Sequence, residues 1–303
     1  MSSKSVCPIC SKTGDRLRNF SPARLVDLYE NYSKMPLPAS LVNKYIKEPV
    51  QEYLCGDCAI RWYSPGALGE SDFYEFLSTF PNYYNPASWD KLISVEILRS
   101  LPCRTAVDVG CGDGWLLKEA SATGVKMVGV EINEAVVNSA KNLGLDIYLP
   151  NDSALNALSF DAMVSLQTLE HIENPTDWLI AQTHRFRPKY IILAVPAHDT
   201  TLGSTSDPLV WPPHHRTLWS GRSLTKLASL VNYRVREIIY QPSSWHRFDS
   251  IVSQEPNRAL WKKFPFPKGR LGHLLFRVLK AMGIKWIARA HTVIAVLESD
   301  ALS

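Results

Sequence analysis

The chain has 303 residues, 46% of them hydrophobic and 20% charged, with a formal net charge of +4. That mixture excludes a disordered or collagen-like chain, and a charge this close to balance excludes naming a nucleic-acid or membrane partner from overall charge alone. No apolar run approaches the ~18–20 residues of a membrane span, and MSSKSVCPIC lacks a signal-peptide core. A cytoplasmic protein is expected, with room for one large domain and a smaller module.

The cysteines come first in chain order. Cys7 and Cys10 form CPIC and Cys55 and Cys58 form CGDC, whereas Cys103 and Cys111 stand apart. In a reducing compartment such pairs are metal knuckles rather than disulfides, and two knuckles supply the tetrahedral four-sulfur set of a structural zinc site. Residues 11–54 separate them, more than the ~15–20 of a compact zinc ribbon, so an inserted segment must be hosted there. The alternatives are two unrelated reduced pairs, or a redox CxxC, which lacks its strand-then-helix setting here. An aromatic, Pro- and Gly-rich connector follows, and the boundary is placed at residue 80: a zinc-binding module and connector over 1–80, and a second domain over 81–303. Leu92, Ile93, Val95, Ile97 and Leu98 predict a helix over Trp89–Ser100.

Strands and helices then alternate, which predicts a parallel sheet covered on both faces. Thr105–Val109 is a β-branched strand. Gly110, Cys111, Gly112, Asp113 and Gly114 form a turn before the helical Trp115-Leu116-Leu117, and glycines suit a sharp turn whose backbone amides approach a ligand. The next strand, Lys126–Val130, ends at Glu131, placed to accept hydrogen bonds from the ribose hydroxyls of a nucleoside. The dinucleotide pattern GxGxxG needs a further glycine where Trp115 stands.

The stretch VDVGCGDG, from Val107 to Gly114, resembles the first motif of class I S-adenosylmethionine-dependent methyltransferases, and the resemblance covers about residues 80–240. It implies an α/β Rossmann-like sheet, mostly parallel with an antiparallel last strand. It also implies that Asp108 and the backbone of Gly110, Cys111, Gly112 and Gly114 hold the methionine end of the cofactor, Glu131 the ribose, Ile132 the adenine face and Asp152 the adenine amine. Residues 160–166 resemble the fourth strand. QTLEHIENP, beginning at Gln167 and containing His171, resembles the LEHIxNP stretch that lines the methionine end. Tyr83, Tyr84 and Trp89 lie where related enzymes use an aromatic lid, with interdomain packing as the alternative.

Ile191 to Pro196 reads as a buried fifth strand. PLVWPPHHRTLW follows, with His214 and His215 expected at the cleft mouth ahead of a helix. Transfer to an oxygen acceptor needs an in-line approach and removal of a proton, a task that suits imidazole. The arrangement resembles sugar methyltransferases. Those acting at carbon share the separated CxxC knuckles and have a catalytic histidine matching His215, but often glutamate where His214 stands. That departure favours O-methylation of a sugar hydroxyl, with His214, His215 and His171 as candidate catalytic residues, each alternatively a capping or packing residue. Residues 234–240 and 292–297 read as the last strands. Between them a basic helical insertion over 241–291 is expected; residues 255–291 carry nine Lys or Arg and one acid. It is suited to a phosphate-bearing carrier, an anionic membrane or RNA, or is simply a solvated helix. A ribosomal-RNA base methyltransferase with a zinc finger is the less favoured alternative, because SLQTLEH stands where an NPPY-like motif would. A sugar C-methyltransferase and a non-catalytic cofactor-binding protein remain further alternatives.

Overall fold

The structure is a computed structural model that describes residues 5–66, 68–80, 83, 88–200, 209–242, 274, 277–278 and 289–300. An antiparallel meander opens it: β1 (Ser5–Val6), β2 (Thr13–Phe20), β3 (Val50–Leu54) and β4 (Arg61–Ser64) pair in sequence order. Each CxxC occupies the turn of a hairpin, and the two turns bond alike. Cys7 N donates to Lys12 O at 2.8 Å and Ser11 N to Cys7 O at 3.0 Å, while Cys55 N donates to Ile60 O at 3.0 Å and Ala59 N to Cys55 O at 2.9 Å. The segment between β2 and β3 is a helical insert, α1 (Pro22–Asp27), a π turn (Leu28–Tyr32) and α2 (Ala39–Tyr45). Ser21 starts it by accepting a hydrogen bond from Arg24 N, with Pro22 at the first helical position. Glu52 is wholly buried and is held by Arg18 and Arg61 from the flanking strands.

After α3 (Ser71–Ser78) and α4 (Trp89–Ser100) comes the larger sheet. β5 (Thr105–Val109), α5 (Trp115–Ser121), β6 (Lys126–Val130), α6 (Glu134–Asn142), β7 (Ile147–Tyr148), β8 (Ala162–Leu166), α7 (Pro175–Phe186) and β9 (Tyr190–Pro196) alternate as expected. Beyond β9 lie β10 (Thr217–Leu218), α8 (Gly221–Leu230), β11 (Tyr233–Pro242) and β12 (Arg289–Ser299). The seven strands run in the order β11-β12-β9-β8-β5-β6-β7. β5 to β9 are mutually parallel, and β12 is antiparallel to both its neighbours. Every residue of β8 and β9 is buried, because helices cover both faces, so these strands read as unbroken apolar runs.

β10 leaves this sheet and joins the meander, Thr217 opposite Trp62 and Leu218 opposite Arg61. Val210, Trp211 and Leu218 pack among the helices of the N-terminal insert, and Tyr29 donates its hydroxyl hydrogen to Trp211 O at 2.9 Å. One buried apolar cluster runs from Cys7 and Trp62 through β8 and β9 to Leu297 in β12. Of the insertion expected over 241–291, positions 241–242 and 289–291 are strand residues of β11 and β12, while 243–273, 275–276 and 279–288 lie outside the described residues. Among the described residues no helix is long and apolar enough to cross a membrane.

Candidate active site

The parallel strands end at a common edge, where open α/β sheets bind ligands. β5 runs into the glycine turn, in which Gly110, Gly112 and Gly114 take φ of 86°, 55° and 75°. At Gly110 a Cβ would come within 2.3 Å of Thr168 Oγ1, so the turn lies directly against the loop leaving β8. The amides expected to meet a ligand are instead used by the protein. Gly110 and Cys111 N–H both reach Val130 O, at 2.8 and 3.2 Å, and Gly112 N–H donates to Glu131 Oε2 at 2.9 Å. Glu131 Oε1 accepts from Asn133 N at 2.9 Å, which fixes the carboxylate at the end of β6. The Cys111 thiol is buried, within the space a Cβ on Gly129 would need, and burial pushes its pKa up; only its backbone belongs to the turn.

What the turn leaves available is Asp108. It is 3% exposed and its Oδ1 has no hydrogen-bond partner among the described residues. Burial pushes its carboxyl up to about 7, against the pull of Lys91. Ile132 beside Glu131 is 76% exposed, an unusual setting for isoleucine. Asp152 accepts from Ala154 N at 3.0 Å and so caps the short 3-10 turn Ser153–Ala157. Gln167, at φ 52°, joins β8 to α4 through Nε2 to Asp90 Oδ2 at 3.1 Å. Trp89 opens α4 and packs against the core; Tyr84 lies outside the described residues.

The histidines gather at the ends of β8 and β9. His171 closes the short turn Leu169–His171 after β8, while His214 and His215 precede β10. The ring centroids are 4.5 Å apart for His214 and His215, 4.8 Å for His171 and His214, and 4.9 Å for His171 and His215. They are not at an open mouth. His214 and His215 are 5% and 4% exposed, covered by α3 and the residues after it: Tyr83 Oη lies 2.9 Å from His214 Nε2, and Tyr74 Oη 3.1 Å from His171 Nδ1. Burial pushes the His171 pKa down to about 4, and burial plus the neighbouring rings push those of His214 and His215 well below 6.5, so all three imidazoles are neutral near pH 7. Backbone carbonyls orient two of them, His171 Nδ1 donating to His214 O at 2.7 Å and His214 Nδ1 to Leu209 O at 2.9 Å. Sequence reasoning missed Glu170, wholly buried, whose Oε1 is 3.9 Å from His171 Nε2 and 4.0 Å from His215 Nε2. Its signal was a charge set between Leu169 and His171 in a segment leaving a buried strand.

The cysteines converge as their spacing predicts. Sγ atoms of Cys7 and Cys58, and of Cys10 and Cys55, are 3.5 Å apart, and those of Cys10 and Cys58 are 3.8 Å apart. Thiolates ~2.3 Å from a tetrahedral ion lie about 3.8 Å from one another, so the set fits zinc with little adjustment.

Residues 82–238 match a family model described as a methyltransferase domain. The chain belongs to this methyltransferase-domain family. The chain is 27% identical to the ubiquinone biosynthesis O-methyltransferase of Hahella chejuensis over 44% of its own length and 54% of that protein. It is 30% identical to the enzyme of the same name from Nitrosococcus oceani over 29% of this chain and 42% of that one. The chain thus spans about half the length of the curated relatives it matches. A solved S-adenosylmethionine-dependent methyltransferase from Archaeoglobus fulgidus aligns with 69% of this chain and 94% of its own, at 15% identity and a TM-score of 0.48. The chain has the class I fold, with its antiparallel β12, and carries its cysteine cluster on the N-terminal meander.

Proposed function

We propose that this methyltransferase takes its methyl group from S-adenosylmethionine and delivers it to a hydroxyl oxygen of a small-molecule acceptor. The observation that carries the reading is Asp108: a buried carboxylate with an unpartnered oxygen, beside a glycine turn and one strand from Glu131. An ammonium placed against Asp108 offsets the cost of burying its charge, and the two oxygens of Glu131 keep lone pairs for ribose hydroxyls beyond the amides they already accept. Ile132 and Asp152 flank the adenine in this assignment. Gln167 and the Gly110–Gly114 turn border the methionine, with Trp89 and Tyr84 on the lid side.

Bound there, the cofactor supplies an electrophilic methyl group on a sulfonium. The chain's own share is to orient the acceptor in line and accept its proton: His215 and His171 offer neutral nitrogens on the acceptor side, and His214, stacked on His215 and bonded to Leu209 O and Tyr83 Oη, sets their position. The O-methyltransferase names of the relatives support oxygen as the acceptor atom. The cysteine cluster is assigned a structural zinc. A saccharide hydroxyl on a phosphate-bearing carrier, which the basic 255–291 segment suits, is the finer acceptor reading; an acceptor in ubiquinone biosynthesis, as printed in the relatives' names, is its competitor.

Calorimetry with S-adenosylhomocysteine tests the donor half. Binding is expected, weakened tenfold or more by Glu131→Ala, and its absence overturns the reading. Labelled methyl transfer to nucleotide sugars, phenols, oligosaccharides and RNA tests the acceptor, with product NMR separating methyl on oxygen from methyl on carbon or nitrogen. His214→Ala and His215→Ala should lower kcat by about 10²–10⁴ while sparing cofactor affinity. Unchanged kcat in both removes them from the reaction.

A further inference from the structure

Beside the histidine segment lies a cavity of about 450 Å³, walled by Lys44 and Tyr45 of α2, by Gly66, Gly69 and Glu70 between β4 and α3, and by Glu173 in the turn after β8. Its volume falls within the range of small-molecule sites. Both flanks of His214 and His215 are bonded to this wall. Gly69 N donates to Pro213 O at 2.8 Å, and Arg216 Nη1 donates to Gly66 O at 2.5 Å while its Nη2 lies 3.6 Å from Glu173 Oε1. Glu70 directly precedes α3, whose Tyr74 meets His171. A molecule seated in the cavity therefore rests against the backbone that fixes the histidines.

The chemistry of the wall selects among ligands. An apolar acceptor needs aliphatic and aromatic lining, and Leu68 is the one aliphatic side chain here among the described residues. An anion needs spare positive charge, but Lys44 Nζ already lies 2.9 Å from both Glu70 Oε2 and Asp72 Oδ2, and Arg216 faces Glu173. What remains is hydrogen-bonding capacity of both kinds. An ammonium has three donors, and two carboxylates occupy two of them. Glu173 stands beyond the ~3.2 Å of a direct hydrogen bond to Arg216, so its oxygens can accept from a ligand, as can the second oxygen of the exposed Glu70. The Tyr45 hydroxyl is spent on Asp72 Oδ1 and Glu70 N, which makes that residue wall rather than contact. Acceptors interleaved with a donor, without excess positive charge, match a neutral ring bearing several hydroxyls, since each hydroxyl both donates and accepts.

We propose that this cavity is a sugar-binding subsite that holds a part of the acceptor that is not methylated, with Glu70 and Glu173 accepting from ring hydroxyls and Lys44 donating to one. Binding energy gained there would seat the reacting hydroxyl against the histidines. The subsite's part in catalysis rests on the O-methylation reading above; its affinity for a sugar does not.

The test uses the full chain saturated with S-adenosylhomocysteine, and saturation-transfer NMR with the methyl glycosides of glucose, galactose, mannose and rhamnose as probes. At least one glycoside should bind saturably, and Glu173→Ala and Glu70→Ala should each weaken it about tenfold. Both side chains are exposed, and unchanged affinity for S-adenosylhomocysteine reports that the fold is intact. In turnover with a sugar acceptor the same variants should raise the acceptor's KM about tenfold and leave kcat within about twofold. No glycoside bound, binding unchanged in both folded variants, or displacement of the glycoside by equimolar inorganic phosphate overturns the subsite. Glycoside binding that the variants abolish, in a protein that methylates only acceptors without sugar, upholds the subsite and overturns the saccharide reading of the acceptor. A chain that binds glycoside but no S-adenosylhomocysteine overturns the donor reading alone.

Discussion

Two buried titrating residues of the site pull the stability of the molecule in opposite directions. Asp108 has a folded-state pKa raised from 3.8 to about 7, so the folded chain holds a proton that the unfolded chain has released, and stability falls as pH rises through that window. The span corresponds to a cost on the order of 4 kcal/mol at neutral pH, an upper bound because local relaxation and water reduce it. His171 behaves inversely: with its pKa lowered from 6.5 to about 4, the unfolded chain takes up the proton first, and stability is lost as pH falls between those values. Asp108→Asn removes the first effect and leaves the second. The variant should therefore melt a few degrees higher than the parent at pH 7, lose that advantage near pH 4, and bind S-adenosylhomocysteine far more weakly. Thermal melts across pH beside calorimetry check this; a variant destabilised at pH 7 would show that Asp108 already has its compensating charge in the free protein.

The turn after β5 shows how an element's geometry sorts residues of one type. Gly112 and Gly110 both have positive φ, but a Cβ on Gly112 meets nothing within 4 Å whereas one on Gly110 strikes Thr168. Gly112→Ala should cost about 1 kcal/mol of backbone strain, and Gly110→Ala about 3 kcal/mol or more, part of it recovered when Thr168→Ala is added. Chemical denaturation of the single and double variants checks this, and equal costs for the two glycines would refute the contact. The glycines themselves were legible in the sequence because they sit between a β-branched strand and a helix, and the strand ending at Glu131 was legible by its β-branched valines. β7 and β10 were not: a two-residue strand has no periodicity to read, and Thr217–Leu218 pairs with a strand more than a hundred residues earlier. Glu170 escaped for a related reason, since burial of one carboxylate depends on what the fold packs over it. The same covering reversed the expectation that His214 and His215 face an open cleft.

Across the whole molecule the segment proposed to face the acceptor is built on the N-terminal meander, while the strand ends proposed to hold the cofactor are not. β10 is a strand of that meander, Tyr63 N donates to Arg216 O at 3.0 Å, and Ser220 Oγ and His198 Nε2 both reach Ala59 O beside the second knuckle. The histidine segment therefore hangs between β9 and a sheet whose two hairpin turns are clasped by four cysteines. Asp108 and Glu131, in contrast, end β5 and β6, whose strand neighbours are β8 and β7. Metal binding at such a cluster contributes directly to folding, so losing it should loosen the meander and with it the path of His214 and His215. Cys58→Ser, or removal of zinc by a strong chelator, is expected to expose amide hydrogens of β3, β4 and β10 to exchange and to lower turnover tenfold or more. Cofactor affinity should stay within about threefold, because the β5–β6 edge keeps its own core of Ala106, Leu117, Val137 and Ile147. Hydrogen exchange read by mass spectrometry, beside calorimetry on the same sample, separates the two halves. Equal loss of exchange protection in β5 and β6 would mean that the shared apolar cluster, rather than the cysteine clasp, couples the sheets.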